Sequence, residues 1–363
     1  METMTKSYFD KAKPNYHILN GIADLIRVLD IDNNVVFLNR SMEEALGCEN
    51  GVCKISESIL KSEITKRTLK TGEIIQREEI IDGHSFSVKC SPIIGADGKI
   101  AGAVEVFRDT TYEKVLQKEI IDKNKSLTYE MIQASKIQQS LLPKKGFMEN
   151  IQVDYDYRPF NMLSGDIFDV FKINNDNIAV YIADAVGHGF ASSMITMFIQ
   201  SLVGNLSQYR LLRPSKAIAE VSRKFGELNL DIDNYFTFFY GVYNRKTGNF
   251  TFSNAGHFPC PIVYNGENII NLETSGYPIT RFFTNCEYED YIIKLNCSDK
   301  ILFLTDGITE TQNIKQESFG TDKICEILRK NNIDELKLIR KELNDFMWAD
   351  GNDDMTALLL KIW

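Results

Sequence analysis

Residues 177–189 read NIAVYIADAVGHG. An apolar run of strand length ends on one carboxylate, Asp184, and enters a glycine-rich turn. FASSMITMFIQSLVGNL (190–206) follows with apolar residues at helical spacing. The same design recurs downstream. KILFLTDGITE (300–310) is a strand that ends on Asp306, and DDMTALLLKIW (353–363) is a strand that opens on Asp353 and Asp354. Between them, YFTFFYGVYNRKTGNFTFSNAG (235–256) reads as a hairpin turned at Thr247-Gly248. Upstream, SGDIFD (164–169) adds Asp166 and Asp169. Strands of one sheet sandwich can bring such ends to a common mouth.

Taken singly, an aspartate at a strand end is ordinary turn chemistry. Several gathered at one mouth repel each other and resist ionising together. Divalent cations remove that conflict, and an all-oxygen donor set suits Mg²⁺ or Mn²⁺ rather than Zn²⁺. Glycines at 165, 187, 189 and 307 let backbone approach closely and turn carbonyls toward a metal.

The rest of the chain divides into two further segments. In residues 1–111, LIRVLDIDNNVVFLN (25–39) reads as a hairpin about Asp32-Asn33-Asn34, followed by a short helix that stops at Gly47. Residues 56–71 alternate at helical spacing. Three strands follow, at 73–81, 84–94 and 99–109, turned at Asp82-Gly83 and Asp97-Gly98. Residues 112–142 contain neither proline nor glycine, and Ile120, Leu127, Ala134 and Leu141 fall seven apart. A second seam, Gln117, Asn124, Met131 and Gln138, is mostly polar. The pattern predicts a helix roughly 45 Å long at ~1.5 Å per residue. It is either a solvated connector or a marginal coiled coil that forms a homodimer. Pro143 stops it.

The chain has 363 residues, 44% hydrophobic and 25% charged, which suggests two domains and a connector. Its net charge of −9 argues against binding nucleic acid through bulk charge. Seven cysteines, an odd number, read as reduced thiols, and no run is long enough to span a membrane. The polar N-terminus does not read as a signal peptide. The expectation is a cytoplasmic protein.

Six ordered blocks over about 135–363 resemble the metal-dependent protein phosphatases (the PPM family), most closely the bacterial RsbU/SpoIIE branch. They are SKIQQSLLPKK, YRPFNMLSGDIFDV, IADAVGHGFASSM, FTFFYGVYNRKTGNFTFSNAGHFPCPIVY, ILFLTDGITETQN and GNDDMTALLL. LIRVLDIDNNVVFLNRSMEEALG and SFSVKCSPIIGADGKIAGAVEVFRDTT resemble a PAS sensor domain. The expected fold class is α+β. It comprises an N-terminal PAS domain (1–111), a helical, coiled-coil linker (112–145) and a C-terminal α-β-β-α sandwich of the PPM phosphatase type (146–363).

The resemblance implies two or more Mn²⁺ or Mg²⁺ ions at one end of the sandwich. Asp184 bridges two of them, the carbonyl of Ala185 binds one, and Asp306 and Asp353 are terminal ligands. Asp166 holds metal-bound water or a further ion. Asp169, Asp354 and Gly307 support these from behind. His188 is a candidate general acid, or else the GHG turn simply packs the following helix. Arg158 is a candidate phosphate contact, and His257 reads as structural. Ile167-Phe168 and Ala185-Val186 depart from the commoner family residues but leave the ligands intact. The implied reaction is hydrolysis of a phosphoserine or phosphothreonine, through no covalent phosphoenzyme, on a STAS anti-anti-sigma protein in a partner-switching pathway. Two alternatives stay open: a PAS-dimer adaptor acting by partner binding, and a hydrolase of small phosphoesters. The PAS resemblance names no ligand, and the flavin-photoreceptor cysteine motif is absent. Cys48, Cys53 and Cys90 are candidates for a thiol or metal sensor.

Overall fold

The computed structural model describes residues 13–45, 63–81, 83–187, 189–228, 230–231, 233–266, 268–283, 286–330, 334–348, 351 and 353–363. His188, Cys48 and Cys53, with the predicted stop at Gly47, lie outside the described residues. Two compact units divide at Leu127/Thr128. The stretch free of helix breakers forms one helix, Thr111–Ser140, that runs across this division. Among the described residues no helix is long and apolar enough to cross a membrane.

The first unit holds β1 (Leu25–Asp30), β2 (Val35–Leu38), the helices Arg40–Ala45 and Glu63–Thr71, then β3 (Ile75–Ile81), β4 (His84–Ile94) and β5 (Ile100–Asp109). These strands form one antiparallel sheet in the order β2-β1-β5-β4-β3. Asn33 takes a φ of 68° in the first hairpin, a conformation asparagine tolerates better than most residues. Period-two alternation sends Phe86 and Val88 of β4, with Phe107 of β5, into a small core with Met42. Next to it, on the same face of the sheet, sits a buried polar group. Arg27 Nε donates to Glu105 Oε2 at 2.5 Å, and Thr65 donates to the other oxygen of Glu105. Cys90 is fully buried beside them, and burial pushes its thiol pKa up. A buried thiol held protonated is a poor nucleophile and a poor metal ligand. Its placement therefore speaks against the sensor expectation for Cys90.

The second unit is a four-layer sandwich. One sheet runs β14-β11-β10-β9-β8 and the other β13-β12-β15-β16-β7-β6. Their strands are β6 (Gly146–Met148), β7 (Ile151–Arg158), β8 (Asp166–Lys172), β9 (Asn177–Ala185), β10 (Phe236–Asn244), β11 (Asn249–Ala255), β12 (Ile262–Tyr264), β13 (Ile269–Asn271), β14 (Tyr291–Lys294), β15 (Lys300–Leu304) and β16 (Met355–Ile362). Near-continuous apolar runs arise because both faces of the central strands are covered. In β9, Ile178, Val180 and Ile182 enter the core between the sheets. Ala179, Tyr181, Ala183 and Ala185 face the helices Phe190–Gly204 and Pro214–Gly226. In β16, Leu358, Leu360 and Ile362 face inward, while Met355, Ala357 and Leu359 face the helices Gly320–Arg329 and Glu335–Phe346. This parity fixes which polar residue at each strand end looks into the sandwich.

Candidate active site

Asp166 opens β8 and is the register partner of Asp184 near the end of β9. Both share the parity of Phe168 and Ile182, so both project between the sheets. From the facing sheet, Thr305 and Thr356 reach Asp166, their hydroxyls donating to its Oδ2 at 2.9 and 2.6 Å. Asp306 begins the one-turn helix Asp306–Thr309 directly after β15. Its carboxyl lies close enough to that of Asp184 for its charge to raise the Asp184 pKa.

Asp353 is exposed beside this pair, and its Oδ1 accepts from the Asp354 N–H at 2.8 Å. Gly307 makes the approach possible. A Cβ there would stand 2.0 Å from the carbonyl oxygen of Asp354 and 3.4 Å from Cβ of Asp353. Any larger residue would push the Asp306 turn away from β16.

Asp354 is buried and does different work. Its two oxygens accept from the N–H groups of Phe160 and Gly165 at 2.7 and 2.6 Å, which ties the 159–165 loop to the start of β16. Gly165 then lies against the carbonyls of Ala185 and Gly187, which would stand 2.9 and 2.8 Å from a Cβ at 165. The Ala185 N–H donates to the Gly165 carbonyl at 2.9 Å. The Ala185 carbonyl is thereby held at the same strand end as Asp184.

Burial, then the nearby charges of Asp306 and Asp353, push Asp184 up to about 8. Burial, then the charges of Asp353 and Glu310, push Asp306 up to about 6. Asp166 is raised well above the usual carboxylate range, first by burial and then by Asp184. Among the described residues no three metal-binding side chains close on one point as a finished cage. What is assembled is the Asp184–Asp306 pair, with Asp353 beside it and Asp166 held behind it by two threonines. The donors are all oxygen and too rich in negative charge to ionise together, which is the chemistry a divalent hard cation fits.

Two expected residues are not brought to this group. Asp169 has the opposite strand parity to Asp166; it faces the helix layer beside Tyr181, and burial lifts its pKa to about 6. Arg158 also faces outward. Tyr155 and Tyr157 pack inward on β7, so Arg158 meets Asp156, at 2.9 Å from Nε, and Asn344, at 3.0 Å. His257 is buried between the sheets. Its Nε2–H donates to the Leu304 carbonyl at 3.1 Å and its Nδ1 accepts from Thr237, the register partner of Asp184, at 3.0 Å. Burial lowers its pKa to about 4, so it stays neutral and braces β10, the neighbour of the Asp184 strand, against the end of β15, just before Asp306.

Gln138 was not singled out from the sequence as a site residue. It is 1% exposed near the end of the long helix, and its amide both donates to the Ser164 carbonyl at 2.7 Å and accepts from the Ser164 N–H at 3.0 Å. The signal available was a glutamine in the last turn of a helix whose neighbours are mostly exposed.

Residues 174–363, just over half of the chain, match the family model described as stage II sporulation protein E (SpoIIE). The chain belongs to the SpoIIE family. Among curated relatives, Protein IcfG of Synechocystis sp. (strain ATCC 27184 / PCC 6803 / Kazusa) is 24% identical over 261 residues, covering 63% of this chain and 41% of IcfG. Phosphoserine phosphatase RsbU of Bacillus subtilis (strain 168) is 27% identical over 233 residues, covering 63% of this chain and 68% of RsbU. The SpoIIE-family chain thus spans well under half the length of IcfG. The SiaA-PP2C domain of Pseudomonas aeruginosa superposes with a TM-score of 0.58 at 17% identity, covering 66% of this chain and 99% of that one. The PP2C phosphatase domain of SpoIIE from Bacillus subtilis, with a fragment of its regulatory domain, superposes with a TM-score of 0.51 at 14% identity, covering 84% and 88%. These likenesses show a shared PP2C-like fold.

Proposed function

We propose that this chain is a signal-regulated, metal-dependent protein serine/threonine phosphatase. The observation that carries the reading is the meeting of Asp184, Asp306 and Asp353 from three separate chain segments at one mouth of the sandwich. Membership of the SpoIIE family and the name of the relative RsbU, a phosphoserine phosphatase, support it. Asp184, Asp306, Asp353 and the Ala185 carbonyl would hold two or more Mn²⁺ or Mg²⁺ ions, with Asp166 behind them. When bound, the ions supply a nucleophilic water at neutral pH and offset the charge of the phosphoryl oxygens. The chain's own residues set the geometry. Asp354 and Gly165 fix the loop that carries Asp166, Thr305 and Thr356 aim its carboxylate, and His257 holds the two sheets in phase. Water attacks phosphorus, the seryl or threonyl oxygen leaves and takes a proton, and orthophosphate departs.

The substrate in this reading is a phosphorylated STAS anti-anti-sigma protein of a partner-switching pathway. The N-terminal unit is a PAS-type sensor. Its order of two strands, a helical segment and three strands, closed by β1 beside β5, supports that assignment. Exposed Ile120 and Leu127 on the helix Thr111–Ser140 support pairing of two copies through a coiled coil. Turnover of a panel of phosphorylated STAS proteins, with Mn²⁺ and with EDTA, tests the proposal. Metal-dependent release of phosphate is expected; no release from any of them with Mn²⁺ would overturn it.

A further inference from the structure

A cavity of about 460 Å³ opens beside Gly307 and Asp353, at the flank of the carboxylate group. Its other walls include Glu310, Gln312, Ile314 and Trp348, and among the described residues no lysine or arginine lines it. The walls are built rather than loose. Thr311 donates to the Gly307 carbonyl at 2.6 Å, and the Phe319 N–H donates to the Thr311 carbonyl at 2.8 Å. The Asn313 carboxamide closes the outer turn, accepting from the Lys315 and Glu317 N–H groups at 2.8 and 3.1 Å and donating to the Glu317 carboxylate at 2.8 Å.

Two groups at this cavity have no stacking or ion-pair partner among the described residues, though the Glu310 charge also bears on Asp306. The indole of Trp348 is 70% exposed, and no ring or cation among the described residues stacks on it. The backbone of Glu310 is tied to the Asp306 carbonyl at 2.7 Å, but its exposed carboxylate has no ion-pair partner among the described residues. A carboxylate beside an open indole face repels a phosphoryl group and attracts a cation. The cavity volume falls in the range that takes a small ligand or a long side chain.

We propose that this cavity is a specificity subsite for an arginine or lysine that flanks the phosphorylated residue of the substrate, an inference that rests on the phosphatase reading above. The phosphoryl group lies at the aspartate mouth. A neighbouring basic side chain turns into the cavity, its stem along Ile314, its cation between the Glu310 carboxylate and the Trp348 ring. Asp353 contributes little to this selectivity, because its charge is directed at the ions. Glu310 and Trp348 carry it.

The test uses the full chain with Mn²⁺ and synthetic phosphoserine peptides in which one arginine is walked along the positions either side of the phosphoserine, with alanine and glutamate at the same positions for comparison. p-Nitrophenyl phosphate, which has no flanking residue, is assayed in parallel. Arginine at one preferred position should raise kcat/KM roughly tenfold over alanine. Trp348→Ala should shrink that ratio, and Glu310→Lys should invert it in favour of glutamate. Both residues are exposed, so the fold tolerates both changes, and the ratio between peptides is independent of how much active enzyme is present. A wild type that turns over peptides without regard to flanking charge overturns the subsite and leaves the phosphatase reading standing. An arginine preference that survives both substitutions also overturns it. A wild type inactive on peptides and p-nitrophenyl phosphate alike overturns both.

Discussion

Asp166 and Asp184 stand opposite each other across β8 and β9, and both project into the space between the sheets. Without ions, the charge of Asp184 raises the cost of ionising Asp166, while burial and then the charges of Asp306 and Asp353 raise that of Asp184. These effects push Asp184 up to about 8, against about 3.9 for a free aspartate. A carboxyl whose folded pKa is raised keeps a proton that the unfolded chain gives up. Its effect on stability is most favourable below about pH 4 and worsens as pH rises to about 8. In EDTA, the melting temperature of the second unit should therefore decline over that window. The decline should be shallower in Asp184→Asn, which removes the titration. Mn²⁺ should raise the melting temperature more at pH 8 than at pH 6, because binding displaces fewer protons there. Scanning calorimetry at several pH values checks this; a Mn²⁺ increment independent of pH would count against the assignment.

Removing one of the paired carboxylates should abolish turnover but not the fold. Asp184→Asn and Asp306→Asn are each expected to lose at least two orders of magnitude in rate, on the order of 3 kcal/mol. Neither change opens a cavity or strands a buried charge, so the melting temperature in EDTA should be no lower than that of the wild type. Near-wild-type turnover in either variant, with Mn²⁺ still bound, would remove that residue from the site.

Strand-and-carboxylate segments such as 177–189 and 300–310 were legible because covered strands are apolar on both faces, so their polar ends stand out. Pairing was not legible. β16 lies between β15 and β7, and nothing local in residues 353–363 states that its other neighbour is some two hundred residues away. Side-chain direction was partly legible. Asp169 is three residues past Asp166, an odd offset that sends it to the opposite face, and Arg158 falls out of step with the inward Tyr155 and Tyr157. Thr305 adjoins Asp306 and Thr356 lies two residues after Asp354, but their hydrogen bonds to Asp166 span 139 and 190 residues and depend on the sandwich closing.

Pairing through the long helix makes a prediction about assembly. Ile120 and Leu127 are 59% and 57% exposed, and Val115 and Ile121 add to an apolar surface. An a-position leucine changed to aspartate places a charge in a seam that already has a polar second row. Leu127→Asp should lower the apparent mass of the full chain at tens of micromolar from dimer toward monomer. Light scattering that finds the wild type monomeric under those conditions would end the coiled-coil reading.

The same helix also ends on the site. Strand β5 finishes at Asp109, the helix begins at Thr111, and near its far end Gln138 grips Ser164 through both faces of its amide. Ser164 in turn accepts from the Asp166 N–H at 3.0 Å, and Gln138 also donates to Thr196 of the helix Phe190–Gly204 at 3.2 Å. A continuous helix can pass on rotation or a change of tilt, which a flexible linker cannot. Motion at Gln138 would therefore reach the loop that positions Asp166. Gln138→Ala leaves a buried N–H and C=O of Ser164 unpaired, a loss of roughly 1–3 kcal/mol. It should weaken Mn²⁺ affinity as well as rate. Two glycines inserted near Ser135 change the phase by about 200° at ~100° per residue. They should leave the catalytic unit folded while separating its activity from anything that happens upstream. Mn²⁺ affinity and turnover measured for the wild-type chain, Gln138→Ala and the insertion variant decide the matter. If all three share one affinity and one rate, the helix is a tether and the coupling is wrong.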